Sequence, residues 1–289
     1  MKVLVTGSRG QIGQDVVSLF SEAGHHVIAC GRRELDITNM EHCQQVISVH
    51  QPEVIIHCAS YTAVDAAETN VDEAYLVNAT GTGNMALSAE RVGAKLVYIS
   101  TDYVFNGQSP HPYYEYDRPD PQSIYGKTKR AGECLVQGLC SQWFIVRTSW
   151  VFGRHGQNFV KTMLRLGQER ELLQVVNDQK GSPTYTVDLV HFLLELTATE
   201  KYGIYHASNS GACTWYEFAK AIFEKAQELL GVSFKARLEP CRTDEFPRAA
   251  PRPENSVLGH LAIRNNQFDE FRHWSEALEE FLPSMRHSL

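Results

Sequence analysis

The sequence predicts an α/β fold: a doubly wound parallel sheet with a second, smaller mixed α/β unit toward the C-terminus. Three observations carry this. Short aliphatic runs without alternation, KVLVT at 2–6, EVIIHC at 53–58 and KLVYI at 95–99, read as strands covered on both faces. Segments of helical apolar period lie between them, so strand and helix alternate and the crossovers are right-handed. The first turn, TGSRGQIG, is glycine-rich and opens into a helix.

Composition narrows the class. The chain has 289 residues, 43% hydrophobic and 21% charged, enough for one large or two modest domains. The net charge of −7 argues against a nucleic-acid surface. The leading run MKVLVTGS is too short for a signal-peptide core, and no stretch reaches the roughly 18 apolar residues of a membrane span. Seven cysteines, an odd count without a C-x-x-C pair, read as reduced thiols of a cytoplasmic protein.

Taken in order, Lys2–Thr6 is the first strand, and Gly7, Gly10 and Gly13 keep a G-x-x-G-x-x-G spacing around Gln11 and Ile12. Val16, Val17, Leu19 and Phe20 follow at helical spacing. Glycines allow the tight turn and close backbone approach, and the free N–H groups of the helix N-terminus suit a pyrophosphate. A Gly-rich loop without a ligand is the alternative; the strand before and the helix after favour a Rossmann-type dinucleotide site. After the second strand, His26–Cys30, Arg32 and Arg33 stand where an acid would hold a ribose 2′-hydroxyl. They favour NADPH, with NADH still admitted, unless they are only solvated loop residues. Arg9, in the glycine loop, is placed to reach the same phosphate.

Met40–Val49 reads as a helix, Glu53–Cys58 as a strand, Asp72–Arg91 as one long helix containing Asn78, and Lys95–Ile99 as the fourth strand. The stretch from Ser100 to Lys129 then sets a hydroxyl, Thr101, at a strand end and places Tyr125 and Lys129 four apart. On a helix those two meet on one face. The ammonium would favour the phenolate and lower the Tyr125 pKa, making it a general acid for a carbonyl under reduction. Trp143–Arg147 is a further strand, and Trp150 just beyond it is either a core side chain or an aromatic platform for a sugar. Asn158–Leu166, Thr186–Leu196, Trp215–Leu230 and Trp274–Phe281 are helices, and Tyr202–Ala207 is a strand. Beyond Gly231 the periodicity weakens. The proline-rich segment from Pro240 to Pro253 carries Arg242, Arg248 and Arg252, which close over an anionic substrate or merely line a solvated connection.

With the glycine turn and the Ser-Thr strand end for company, the Tyr-x-x-x-Lys pair resembles the extended short-chain dehydrogenase/reductase superfamily, whose triad is Ser/Thr, Tyr and Lys. More specifically, SYTAVDAAE, STDYVF, IYGKTK, RTSWVFG, NFVKTMLRLG, NDQKGSPT and RPENS together resemble the dTDP-4-dehydrorhamnose reductase family, across essentially the whole chain. The resemblance implies a triad of Thr101, Tyr125 and Lys129. It also implies sugar contacts from Thr101, Asp102, Tyr103 and Trp150, and cofactor contacts from Asp36 and Ile37 at the adenine and from Ser60, Tyr61 and Thr62 along the sheet edge. Ser60 departs from the Ala more usual there, and Val257 stands where the family signature has Arg. The implied division is an NADPH-binding domain of residues 1–152 and about 182–206, with a substrate-binding domain of about 153–181 and 207–289. Some family members form homodimers bridged by magnesium through acids, one of them on the first helix where Asp15 stands; one matching acid assigns no metal here.

The expected reaction is reduction of a C4 keto group on a dTDP-linked 4-keto-6-deoxy sugar. Tyr125 would give the proton, Lys129 would hold the nicotinamide ribose, and Thr101 would hydrogen-bond the carbonyl oxygen. Rivals are a reductase or epimerase of another nucleotide-sugar and a non-catalytic NADP-binding regulatory protein on the same scaffold.

Overall fold

A computed structural model describes residues 1–286. Strand β1 (Lys2–Thr6) leads into helix α1 (Gln11–Glu22), followed by β2 (His26–Cys30), α2 (Met40–His50) and β3 (Val54–His57). Then come α3 (Val64–Ala67), α4 (Val71–Tyr75), α5 (Thr82–Val92) and β4 (Lys95–Thr101). After α6 (Ile124–Leu139), β5 (Trp143–Thr148) and β6 (Val151–Phe152), the chain forms α7 (Phe159–Glu169), β7 (Leu172–Val176), β8 (Lys180–Gly181) and β9 (Thr184–Tyr185). It continues through α8 (Thr186–Thr197), β10 (Gly203–His206), β11 (Cys213–Thr214), α9 (Trp215–Leu230), β12 (Arg237–Cys241), α10 (Leu261–Asn265) and α11 (Trp274–Phe281).

Six strands form one parallel sheet in the order β10-β5-β4-β3-β1-β2. Because β1 is flanked by β2 on one side and β3 on the other, the strand order reverses at β1, and a crevice opens at the carboxyl ends of the strands. Alternation within each strand explains the two layers. Val3, Val5, Val54, Ile56, Val97 and Val146 face Val16 and Phe20 of α1 and Leu189 and Leu193 of α8. Leu4, Ile55, Leu96, Tyr98 and Ile145 face the other way, onto Cys43 and Ile47 of α2, Met85, Ala86 and Ala89 of α5 and Val136 of α6. The continuous apolar runs are thus half for one layer and half for the other.

A second core gathers Val160 and Leu164 of α7, Phe218 and Ile222 of α9, and Leu278 and Phe281 of α11, around Phe152 and Tyr185. Each buried Phe or Leu contributes about 1.5–3 kcal/mol relative to exposure. Its strands pair in three small ribbons, β7 with β12 and β6 with β9 in parallel and β8 with β11 antiparallel. Not all of the late chain belongs to this core: Ile263 and Phe271 pack on the sheet layer with α8, although they fall within the stretch 207–289 expected to form the substrate domain.

The structure departs from the sequence expectations at two other elements. The helix expected over 72–91 is interrupted by a π-helical turn, Leu76–Gly81, between α4 and α5. Beyond Gly231, where periodicity fades, β12 forms by pairing in parallel with β7, from Arg237 opposite Leu172 to Cys241 opposite Val176.

Candidate active site

A single cleft of about 1540 Å³ runs along the carboxyl ends of the sheet strands and on between the two cores. At one end lies the glycine turn. Gly7 has φ +63°, and a Cβ there would meet Ala59 N at 2.7 Å; a Cβ on Gly13 would meet Gly7 O at 2.2 Å. Only glycine fits both positions, and the turn is cinched by Gly10 N donating to Gly7 O at 2.9 Å. Gly10 caps α1 without a side-chain bond, leaving the first N–H groups of the helix to a ligand.

Gln11 and Ile12 line the same end, with Arg32, Arg33, Asp36 and Ile37 beyond the end of β2. Arg32 and Arg33 are exposed, as a 2′-phosphate would require. Arg9 is not free for that role: its guanidinium pairs with Glu34 at 2.7 Å, and Glu34 accepts from Gly31 N. The Asp36 carboxylate caps its own turn through Thr38 N and Oγ1, while Ile37 is buried against Gly81. A pyrophosphate turn of backbone donors with an arginine pair beyond it is a donor set that fits a dinucleotide phosphorylated on the adenosine ribose.

Ser60, Tyr61 and Thr62 line the cleft beyond β3. The π-helical turn explains how they are held. Asn78 Oδ1 accepts from Ser60 Oγ at 2.8 Å and from Tyr61 N at 2.7 Å, while Nδ2 donates to Tyr61 O and Thr128 Oγ1, both at 3.0 Å. One buried amide therefore ties the loop after β3 to α6. Such turns recur at functional sites because they reorient one side chain within a helix.

Thr101, Asp102, Tyr103, Tyr125 and Lys129 meet at the middle of the cleft. Thr101 closes β4, accepts from Tyr103 N at 3.2 Å and donates to Asp102 Oδ1 at 2.9 Å. Ser123 caps α6 by accepting from Gly126 N. Two glycines let α6 approach closely: a Cβ on Gly126 would lie 2.2 Å from Tyr103 O, and one on Gly132 2.5 Å from both Asn78 O and the Tyr98 hydroxyl. The Tyr103 ring meets Tyr125 edge-on at 5.6 Å.

The electrostatics differ from the sequence expectation at one point. Burial pushes Tyr125 up to about 12, the Thr101 hydroxyl pulling down and the Asp102 charge adding. Lys129 does not lower it. Its ammonium donates instead to Ile99 O at 2.7 Å, lies 4.1 Å above the Tyr98 ring, and is itself pushed down to about 7 by burial, against the pull of Glu133. Tyr125 thus stays a neutral phenol at neutral pH, the form that can donate a proton. Burial raises Asp102 to about 6, and its Oδ2 is buried without a hydrogen-bond partner.

Trp150 lines the far wall with a positive φ of 47°. The expected open aromatic face is partly taken: the indole stacks on Trp215 at 3.5 Å and 8°, and a Cβ on Gly181 would lie 2.5 Å from it. Trp215, at the start of α9, is a cleft residue that sequence reasoning placed only in a helix. Its helix is fixed by a capping box between Thr214 and Glu217.

Arg248 and Arg252 line the cleft, but Arg242 does not; it is exposed and paired with Asp244. Arg252 is tied across the cleft to Asp65 at 2.8 Å, where Ala250 N also donates, and its guanidinium lies 6.0 Å from the Tyr103 ring. Asp65 was not singled out by sequence reasoning, since its partner lies 187 residues away. Val257 is buried outside the cleft, and its carbonyl accepts from Tyr113 N. Asp15 is buried with one oxygen 3.5 Å from His155, and among the described residues no cluster of three His, Cys, Asp or Glu side chains could hold a metal.

Comparison with known proteins places this arrangement. Residues 1–287 match the family described as the RmlD substrate binding domain. The spore coat polysaccharide biosynthesis protein SpsK of Bacillus subtilis is 44% identical over 97% of this chain and 96% of its own. A dTDP-4-keto-6-deoxy-D-glucose reductase of Streptomyces niveus is 40% identical over the same shares. The crystal structure of dTDP-4-dehydrorhamnose reductase from Bacillus anthracis in complex with NADP superposes with a TM-score of 0.94, at 47% identity and 98% coverage of both chains. With its glycine turn, its Thr-Tyr-Lys cluster and this likeness along nearly its full length, the chain belongs to the RmlD substrate binding domain family.

Proposed function

We propose that the protein is an NADPH-dependent reductase of the C4 keto group of a dTDP-linked 4-keto-6-deoxy sugar, with dTDP-4-dehydro-L-rhamnose as substrate and dTDP-L-rhamnose as product. The observation that carries this reading is the convergence of Thr101, Tyr125 and Lys129 on one cleft wall, next to a dinucleotide turn, in a chain whose relatives are named for this reaction. When bound, the nicotinamide supplies the hydride. Gly7, Gly10, Gly13 and the N-terminus of α1 hold the pyrophosphate, Arg32 and Arg33 the 2′-phosphate, and Ser60, Tyr61 and Thr62 the inner edge.

Tyr125 gives its phenolic proton to the keto oxygen, and the Thr101 hydroxyl hydrogen-bonds the same oxygen and orients it. Lys129, its ammonium anchored on the Ile99 carbonyl, holds the nicotinamide ribose and so aligns the cofactor with the keto carbon. The unpartnered Oδ2 of Asp102 accepts from a sugar hydroxyl. The Trp150–Trp215 pair forms an aromatic wall for the C–H side of the ring. Arg248 and Arg252 meet the diphosphate. The seven free cysteines agree with a reducing cytoplasm, and no described helix is long and apolar enough to cross a membrane. The likeness to SpsK agrees with a place in supplying sugars for surface polysaccharide.

The test is a rate comparison across dTDP-, UDP- and GDP-linked 4-keto-6-deoxy hexoses and the free keto sugar. The dTDP-linked L-rhamnose precursor should react fastest, because binding energy from the remote nucleotide aligns the reacting carbon. Equal rates with the free sugar or with another nucleotide would contradict the substrate. Preference for the D-gluco isomer would move it toward the Streptomyces relative's reaction.

A further inference from the structure

We propose that Glu133 is a positioning residue for this reduction: clamped by Arg147, Arg130 and Ser100 one helical turn beyond Lys129, its carboxylate keeps Lys129 protonated and ties the end of β4 to α6. The inference rests on the role given to Lys129 above.

The Glu133 and Arg147 side chains are 0% and 1% exposed. Arg147 Nε donates to Oε1 and Nη2 to Oε2, both at 2.8 Å; the Ser100 hydroxyl donates to Oε1 at 2.7 Å and Arg130 Nη1 to Oε2 at 2.9 Å. Both oxygens are fully engaged, which fixes the rotamer. Arg147 extends the network to His206, whose Nδ1 faces two carbonyls, Tyr113 O and Gly259 O, each at 3.1 Å. That nitrogen therefore carries the proton, and the bare Nε2 accepts from Arg147 at 3.3 Å. His206 is held neutral by burial, so it brings no compensating charge.

A buried pair of this type adds little stability over apolar side chains of the same volume. Its effect falls on its neighbours. The titratable and charged groups around Lys129 are Tyr98 on β4, His57 at the end of β3 and Cys58 just after it, Asp102 and Tyr103 in the turn after β4, Arg147 on β5, and Tyr125 and Glu133 on its own helix. Burial keeps His57 uncharged, pushing it down to about 3, and pushes the Cys58 thiol up to about 12. Glu133 opposes the burial that drives the Lys129 proton off. Without it, the buried Arg147 guanidinium would lose its carboxylate and Lys129 would keep only the Ile99 carbonyl against the burial that drives its proton off. The Ser100 bond adds a geometric link, since Ser100 precedes Thr101 while Glu133 shares α6 with Tyr125 and Lys129.

The experiment is the pH dependence of kcat at saturating cofactor and substrate. The reaction needs the ammonium, which is lost as pH rises through the Lys129 pKa, so a lower pKa brings the alkaline decline earlier. Glu133→Gln should move that decline to lower pH by about one unit or more. Arg130→Gln, on the partly exposed side and tolerated by the fold whether or not Glu133→Gln is, should move it to higher pH, because a cation beside the carboxylate is gone. Ser100→Ala should lower kcat and leave the profile in place. An unmoved profile in both charge variants, with only kcat or the melting temperature reduced, would make Glu133 merely structural and overturn the proposal. Lys129→Met separates the two readings: near wild-type turnover there would remove the role of Lys129 itself.

Discussion

At the scale of single residues, the account turns on a tyrosine kept neutral by burial. Tyr125→Phe should lower turnover by roughly 10²-fold or more while leaving NADPH affinity nearly unchanged, as steady-state rates and cofactor titration would check. Arg32→Ala with Arg33→Ala should weaken NADPH more than NADH, because a charge-assisted contact to the 2′-phosphate exists in one cofactor only; dissociation constants for both decide it. These positions were legible in the sequence because their chemistry is carried by residue type and short spacing: three glycines in one turn, a Tyr and a Lys four apart. The electrostatics were not legible. Spacing alone suggested that Lys129 would lower the Tyr125 pKa, but burial raises it to about 12 while Lys129 turns to the Ile99 carbonyl. Likewise Trp150 could be read as an aromatic surface, whereas its stacking on Trp215, 65 residues on, depends on how α9 docks.

At the scale of elements, strands and helices of the sheet were readable because each buries a continuous apolar run or stripe, and α9 and α11 match their expected bounds, Trp215–Leu230 and Trp274–Phe281. Two elements escaped. β12 is stabilised by pairing with β7, some 65 residues earlier, and its own sequence RLEPC has no strong pattern. The π-helical turn at Leu76–Gly81 leaves a helical apolar period almost intact, so only the four side-chain hydrogen bonds of Asn78 reveal it. Asn78→Ala should leave Tyr61 N without its acceptor and cut the bridge from the loop after β3 to Thr128, destabilising the fold by about 1–3 kcal/mol, read as a lower melting temperature. It should also raise the KM for NADPH by loosening Ser60 to Thr62. A variant with wild-type stability and KM would show that the turn does not hold that loop.

At the scale of the whole molecule, the strand order reverses at β1 and opens the crevice, and the second core with the late loop closes its far side, tethered by Asp65 and Arg252. The sequence implied two units, but the return of Ile263 and Phe271 to the sheet core was hidden because both lie beyond the segment where periodicity fades. The central claim is hydride delivery to C4 of a dTDP-linked keto sugar, with the proton coming from the protein. It is tested most directly with NADPH deuterated at the transferring position of the nicotinamide and dTDP-4-dehydro-L-rhamnose, reading the product by proton and deuterium NMR. The account predicts one deuterium at C4 of dTDP-L-rhamnose and none elsewhere, formed at a rate that falls at least about 10²-fold in Tyr125→Phe. Deuterium at another carbon, or no incorporation while the cofactor still binds, would contradict it.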